Sequence, residues 1–340
     1  MNKKVMISFG ILVVIVLGFL VYNNQEPNYA SEELTDFNGE IMVSSSGEKY
    51  LVDPSKILSG GPSKGGIGVE RGIPALAEEN INFVSMDEAD KWIQDNELVL
   101  VLNYQETLRV YPLQIMVWHE IANDQINDEL IIVTYCPLCG SGIAYKGQIE
   151  VDGEKIESRF GTSGKLFNSN LVMYDEETDS YWTQIDGKAI VGELTGQELE
   201  EISVDTVVWR DWKASEESQD SQVLSQETGM SRSYRVDPYG SYYEDSFILF
   251  PVEAEDNRIH AKTVIFGIEI NDQFLAIEED DLKENPIIET QLAGVNIKFE
   301  RSESGIVNVI NLDNNEEIVK ERDFWFAWYA FHPDTQLYQN

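Results

Sequence analysis

The sequence predicts a mainly β or α+β fold: an antiparallel, β-rich domain with short helices, preceded by an N-terminal transmembrane helix. Three observations carry this expectation. Short runs rich in β-branched and aromatic residues recur between clusters of turn formers. Aromatic residues make up 11% of the chain, enough to furnish the core of such a fold. One apolar run near the N-terminus is long enough to cross a bilayer.

In chain order, residues 5–22 ("VMISFGILVVIVLGFLVY") hold no charge and follow Lys3 and Lys4. As a helix this run is about 27 Å long, close to the thickness of a hydrocarbon core. The two lysines favour residues 1–4 in the cytoplasm and the rest of the chain outside the cell membrane, single-pass. A cleaved signal peptide is the alternative, but its apolar region is ordinarily about 7–15 residues. Residues 23–36 read as a linker and 37–340 as one extracytoplasmic β-rich domain. Within it, 86–96 ("MDEADKWIQDN") predicts a helix. Strands are predicted at 98–103, 107–112, 130–135, 141–145, 171–174 and 181–184. A further helix is expected at 113–123, where Ile115, Trp118, His119 and Ala122 share a face. The polar run 214–222 ("ASEESQDSQ") predicts an irregular loop, and 160–170 ("FGTSGKLFNSN") predicts a tight one.

A weak internal repeat suggests two related β units, about 98–190 and 262–338. A shift of 166 residues, from Leu102 to Ile268, lays "LNYQETLRVY" over "IEINDQFLAI". The same shift lays "LIIVTY" at Leu130 over "NIKFER" at Asn296. Where the first unit has His119, Cys136 and Cys139, the second has Asn285, Ser302 and Gly305. On this reading the scaffold does not need those three groups, and only the first unit carries a site.

Charge narrows the partners. Against 24 lysines and arginines stand 61 acidic residues, for a formal charge of −37. Such a surface repels nucleic acid and anionic headgroups, so nucleic acid is excluded and the membrane is met only through the N-terminal helix. A small molecule or a metal-trafficking protein is the remaining kind of partner. No EF-hand loop, P-loop, G-x-S-x-G or H-E-x-x-H is present.

The chain has two cysteines, Cys136 and Cys139, in "TYCPLCGSG". Three chemistries compete for a C-x-x-C in an exported protein. As a metal knuckle, the pair supplies two thiolates on a tight turn, with Pro137 stiffening it and Gly140 letting the backbone bend. The remaining ligands must then be of another type: His119 in "MVWHEIAND", with Glu120 beside it, and Met173 in "NLVMYD", with His260 and His332 as substitutes. Thiolate, imidazole and thioether together suit copper, Cu+ or Cu2+, with zinc as the alternative. As a redox pair, the cysteines make a thiol–disulfide oxidoreductase, or a bond that simply pins a turn in a non-enzymatic surface module. A thioredoxin-like arrangement is disfavoured because "GSGIAY" reads as a turn and strand rather than a helix start. As a nucleophile, one cysteine takes His119 as base with Glu120 or Asp124 orienting it, which leaves the other thiol unexplained.

Five ordered stretches carry a resemblance: "VYPLQIMVWHEIAND", "VTYCPLCGSGIAY", "FGTSGKLFNSNLVMYDEETDSYWTQ", "LSQETGMSRSYRVDPYGSYY" and "FWFAWYAFHPDTQLY". Over roughly 60–338 the chain resembles the bacterial and archaeal family grouped as domain of unknown function 3179. The resemblance implies no activity. It does imply that residues of those motifs form one unit, placing His119, Cys136, Cys139, Asn168, Met173, Tyr174, Asp175, Trp182 and Gln184 around a common site. The fourth stretch departs from the family's threonine- and aspartate-richer form.

Overall fold

The computed structural model describes residues 40–66 and 72–339. The anchor at 5–22 and the linker at 23–36 lie outside the described residues. Among those described, no helix is long and apolar enough to cross a membrane.

The fold is β-rich and almost wholly antiparallel, with short helices. Strand Leu98–Tyr104 pairs with Thr107–Pro112 across Gln105 and Glu106, both at positive φ (48° and 63°). Two such residues in succession turn a hairpin with the right-handed twist its strands require. Helix Leu113–His119 follows, then a meander of Ile121–Ile126, Glu129–Cys136 and Ser141–Lys146. The same succession recurs 166 residues on, from Leu98 to Val264. Hairpin Val264–Ile270 with Gln273–Glu278 turns at Asn271 and Asp272, again at positive φ. Helix Glu279–Glu284 and the meander Ile287–Leu292, Val295–Arg301 and Val307–Asn311 complete it.

Between the two successions along the chain lies most of a seven-stranded sheet, which includes strands Phe160–Phe167, Asn170–Asp175 and Tyr181–Thr183. It packs on the first meander through a shared apolar cluster that includes Phe160, Met173, Trp182, Tyr145 and both cysteines. Near the C-terminus, strand Glu321–Phe324 pairs with Val264–Ile270 and runs into helix Trp325–Phe331. That strand joins the second succession to the cysteine turn of the first.

Several local expectations give way to tertiary pairing. The helix expected at 113–123 stops at His119, because Glu120 takes the left-handed conformation (φ 58°) and caps it through Met116 O. Residues 121–126 then extend, since Glu129–Cys136 on one side and Leu76 on the other engage their backbone, and all but Gln125 are buried. The helix at 86–96 is α-helical only over Met86–Ala89. Within 160–170, Phe160–Phe167 forms a strand rather than part of a tight loop. The strand bulges between Thr162 and Lys165, where Gly164 sits at φ 72°, and the chain turns at Asn168 and Ser169. The run 214–222 holds a 3-10 turn at Glu216–Ser218 and enters strand Gln222–Leu224, which is captured by Thr107–Pro112.

Candidate functional site: a buried dithiol turn

Strand Glu129–Cys136 ends on Cys136, and Ser141, its paired neighbour, starts the next strand. Four residues make the connection. Cys139 N donates to Cys136 O at 3.1 Å, closing a turn over Pro137 and Leu138. Gly140 follows at φ 65°, and a Cβ there would stand 2.9 Å from the ring of Phe324. Glycine is therefore required twice, by the backbone and by the ring beneath it. Phe324 N also donates to Cys139 O at 2.8 Å.

The two sulfurs are free thiols 3.3 Å apart. Cys136 is 2% exposed and Cys139 0%. Cys139 Sγ donates to Ser169 O at 3.5 Å and accepts from Asn170 Nδ2 at 3.4 Å. Asn170 belongs to a frame of buried amides. Its Oδ1 accepts from the N–H groups of Gln184 (2.9 Å) and Ile185 (3.1 Å), and its Nδ2 also donates to Gln184 Oε1 at 2.7 Å. Ser141 Oγ donates to that same Gln184 oxygen at 2.8 Å, while Gln184 Nε2 donates to Thr134 Oγ1 at 3.0 Å. A network satisfied in this way fixes the sulfur's surroundings rigidly. Burial pushes the Cys139 thiol well up, and its contact with Cys136 pushes the same way. At neutral pH Cys139 is therefore an S–H group.

Residues 239–243 cover the turn. Tyr242 Oη donates to Leu138 O at 3.1 Å, and the ring of Tyr243 packs against Phe324. Buried Lys262 holds this cover in place, donating to Tyr242 O with its Nζ over the Tyr242 ring. On the other side, Tyr239 Oη reaches Glu120 Oε1 at 3.4 Å. Burial raises the Glu120 carboxyl to about 8, so it carries its proton at neutral pH.

Some of the expected residues share the cluster of the two thiols, and others have hydrogen-bond partners of their own. Cys136, Cys139, Met173 and Trp182 share one buried cluster, and Gln184 belongs to the amide frame. Both ring nitrogens of His119 are engaged: its Nδ1 meets Pro74 O at 2.8 Å and its Nε2 meets Tyr234 Oη at 2.7 Å. Desolvation lowers its pKa to about 4, so it is a neutral core histidine. Asn168 bridges backbone groups of Glu253 and Ala330. Asp175 accepts from Trp182 Nε1 at 2.9 Å and from Thr178 N at 2.6 Å. Tyr174 lies half-buried beneath Lys64 Nζ. His332 packs between Phe274 and Trp328, and His260 Nδ1 accepts from Lys262 N. Among the described residues, no group of three or more His, Cys, Asp or Glu is placed to hold a metal ion. Sequence reasoning missed Asn170, Ser141 and Thr134. Asn170 lies two residues past Asn168, and treating 160–170 as a loop hid the hairpin that turns it toward Cys139.

A β-rich protein whose two thiols meet on a dry turn, closed by side-chain amides and a tyrosine cover, is the class these features define. The chain belongs to the family described as protein of unknown function (DUF3179), whose model matches residues 70–315, well over half of its length. No curated protein and no solved structure matches it.

Proposed function

We propose that Cys136 and Cys139 form a redox-active dithiol that exchanges with low-molecular-weight thiols and disulfides. One observation carries this reading: two free sulfurs 3.3 Å apart on a turn already closed by the Cys139 N to Cys136 O hydrogen bond. A disulfide holds its sulfurs about 2.05 Å apart, so forming the bond requires these two to approach each other by roughly 1.3 Å. The reaction balances as two protein thiols plus R–S–S–R giving the Cys136–Cys139 disulfide plus two R–SH. With the anchor expected at 5–22, the dithiol faces the exported side of the cell membrane, where disulfides persist.

The test is a redox titration of the exported domain in glutathione buffers, read by alkylation and mass. A reversible two-proton mass change with one midpoint supports the reading. Thiols that stay free under the most oxidising buffer, or a bond that no reductant opens, overturn it; the latter outcome marks a structural staple.

A second reading is favoured by the place of Met173 in the same buried cluster as both cysteines. Two thiolates and a thioether suit Cu+, with zinc a poorer match. His119 joins such a set only by giving up Pro74 and Tyr234. Copper and zinc retained by untagged protein, compared with the Cys136→Ser/Cys139→Ser variant, decide it: equally low retention in both sinks this reading.

A further inference from the structure

Both thiols are closed off from solvent, yet a reactant has to touch a sulfur. Three elements press on the cysteine turn from outside. The hairpin carrying Ser169 and Asn170 lies against Cys139, and the ladder from Asn170–Asp175 to Tyr181–Thr183 ties it into its sheet. Strand Glu321–Phe324 bonds Cys139 O and is laddered to Val264–Ile270. The third element is the cover at 239–243, whose Tyr239, Tyr242 and Tyr243 pack in the same apolar cluster as both cysteines.

The cover is held differently from the other two. Between strands Gln222–Leu224 and Val264–Ile270 the chain forms no ladder, only a 3-10 turn at Tyr242–Glu244. Among the described residues, the backbone–backbone hydrogen bonds over 226–259 stay within that stretch: Val236 N to Ser233 O, Tyr242 N to Tyr239 O and Glu244 N to Ser241 O. Side chains therefore attach the cover to the body. Tyr242 Oη donates to Leu138 O, between the two cysteines, and Tyr239 Oη reaches Glu120. Lys262 adds the charged tie: its Nζ donates to Tyr242 O, lies 3.3 Å from the centre of the Tyr242 ring and meets Asp245 at 3.2 Å. The backbone around Lys262 is fixed, since Phe326 N donates to Ala261 O and Trp325 N to Thr263 O, both at 2.8 Å. A buried ammonium is costly to place, and this one directs its donors at the cover.

We propose that residues 239–245 are a latched cover that swings off the cysteine turn to admit a small disulfide or thiol, with Lys262 as the latch. The inference rests on the redox reading for the reactant admitted; the opening itself needs no particular sulfur chemistry. Segments tied by few backbone bonds open at lower free energy than laddered strands do. Opening breaks the contacts of Lys262 with Tyr242, of Tyr242 with Leu138 and of Tyr239 with Glu120. Both ladders stay intact, so the turn and the amide frame keep their geometry while a sulfur becomes reachable. Closure then dries the site again.

The experiment follows alkylation of the reduced full-length chain by iodoacetamide at one fixed pH, read by mass, at urea concentrations below the unfolding transition. Wild type is expected to react at a rate that rises only weakly with urea, because a local opening exposes little surface. Lys262→Met is expected to react at least about tenfold faster with the same shallow slope, through loss of a charged donor. Losing a nearby cation by itself disfavours a thiolate, so an acceleration reads the opening rather than the charge. A rate that climbs with urea as steeply as global unfolding, in either protein, overturns the inference, since the thiols then meet reagent only in the unfolded chain. An unchanged rate in Lys262→Met overturns it too. Should Lys262→Met not fold, Tyr242→Phe removes only the bond to Leu138 O and must also accelerate alkylation; an unchanged rate there again overturns the inference. Iodoacetamide forms no disulfide, so a dithiol that titrates reversibly in glutathione while failing these tests leaves the redox reading standing.

Discussion

Phe324 N donates to Cys139 O at 2.8 Å, while the Phe324 ring lies under Gly140. One residue of the C-terminal strand therefore holds the cysteine turn both by its backbone and by its side chain. The turn cannot be understood as a local motif: its geometry is clamped by a residue 185 positions further along, from Cys139 to Phe324.

Gly140→Ala tests that clamp. A side chain at φ 65° costs about 1–2 kcal/mol, and a Cβ 2.9 Å from the ring adds an overpacking cost. A total loss of at least about 2 kcal/mol is expected in urea unfolding. Phe324→Leu should recover the steric part, so the double variant is less destabilised than the two single losses added together. Strict additivity would show that the ring is not the obstacle.

Asn170→Ala removes one acceptor shared by two buried N–H groups, those of Gln184 and Ile185. It also removes the donor to Cys139 Sγ. The orphaned amides should cost about 2–4 kcal/mol in chemical denaturation. Because the lost donor favours the thiolate, Cys139 alkylation should slow even where the variant remains folded. A variant as stable as wild type would show that water fills the vacated position.

His119→Leu separates the core role of His119 from the site. The substitution leaves Pro74 O without its partner and frees one side of Tyr234, so stability should fall by about 1–3 kcal/mol. The dithiol midpoint should not move. A shift of more than about 30 mV, roughly 1.4 kcal/mol for two electrons, would place His119 in contact with the sulfur chemistry after all.

Stability should fall as pH rises from 6.5 to 8. Folded Glu120, raised to about 8, keeps its proton over this range, whereas the unfolded carboxyl, with an ordinary value near 4.3, has lost it. The folded chain thus binds more protons, and each pH unit costs about 1.4 kcal/mol until the folded pKa is passed. His119 and His332, lowered by burial to about 4 and 3, oppose this trend only below the ordinary histidine value of about 6.5. Thermal melts at pH 6.5 and 8 should show the drop, and Glu120→Gln should make it shallower. A melting temperature that is flat or rising in wild type would contradict the assignment.

Much of the fold is legible in the chain. The hairpin at 98–112 is announced by two apolar-rich runs on either side of Gln105 and Glu106, and the strand into Cys136 by "LIIVTY". The same order of elements can be followed again from Val264. Less legible was everything decided by pairing at a distance. The helical periodicity read over 113–123 runs past His119, yet from Ile121 on the backbone finds partners in strand Glu129–Cys136 on one side and Leu76 on the other. A glycine-rich stretch reads as a loop until Asn170–Asp175 turns it into a hairpin.

The site divides along the same line. The sequence by itself determined that two thiols stand three residues apart on a proline-stiffened turn, with a glycine after them, because these are properties of neighbours along the chain. It also marked Met173, Trp182 and Gln184 as belonging nearby through shared motifs. Only the tertiary structure decided that His119 turns to Pro74 and Tyr234, that Asn170 faces Cys139, and that Phe324 clamps the turn. The physical reason is that a side chain's partners are set by which sheet faces are pressed together. Periodicity names the face a residue occupies, but the face opposite it comes from a remote part of the chain.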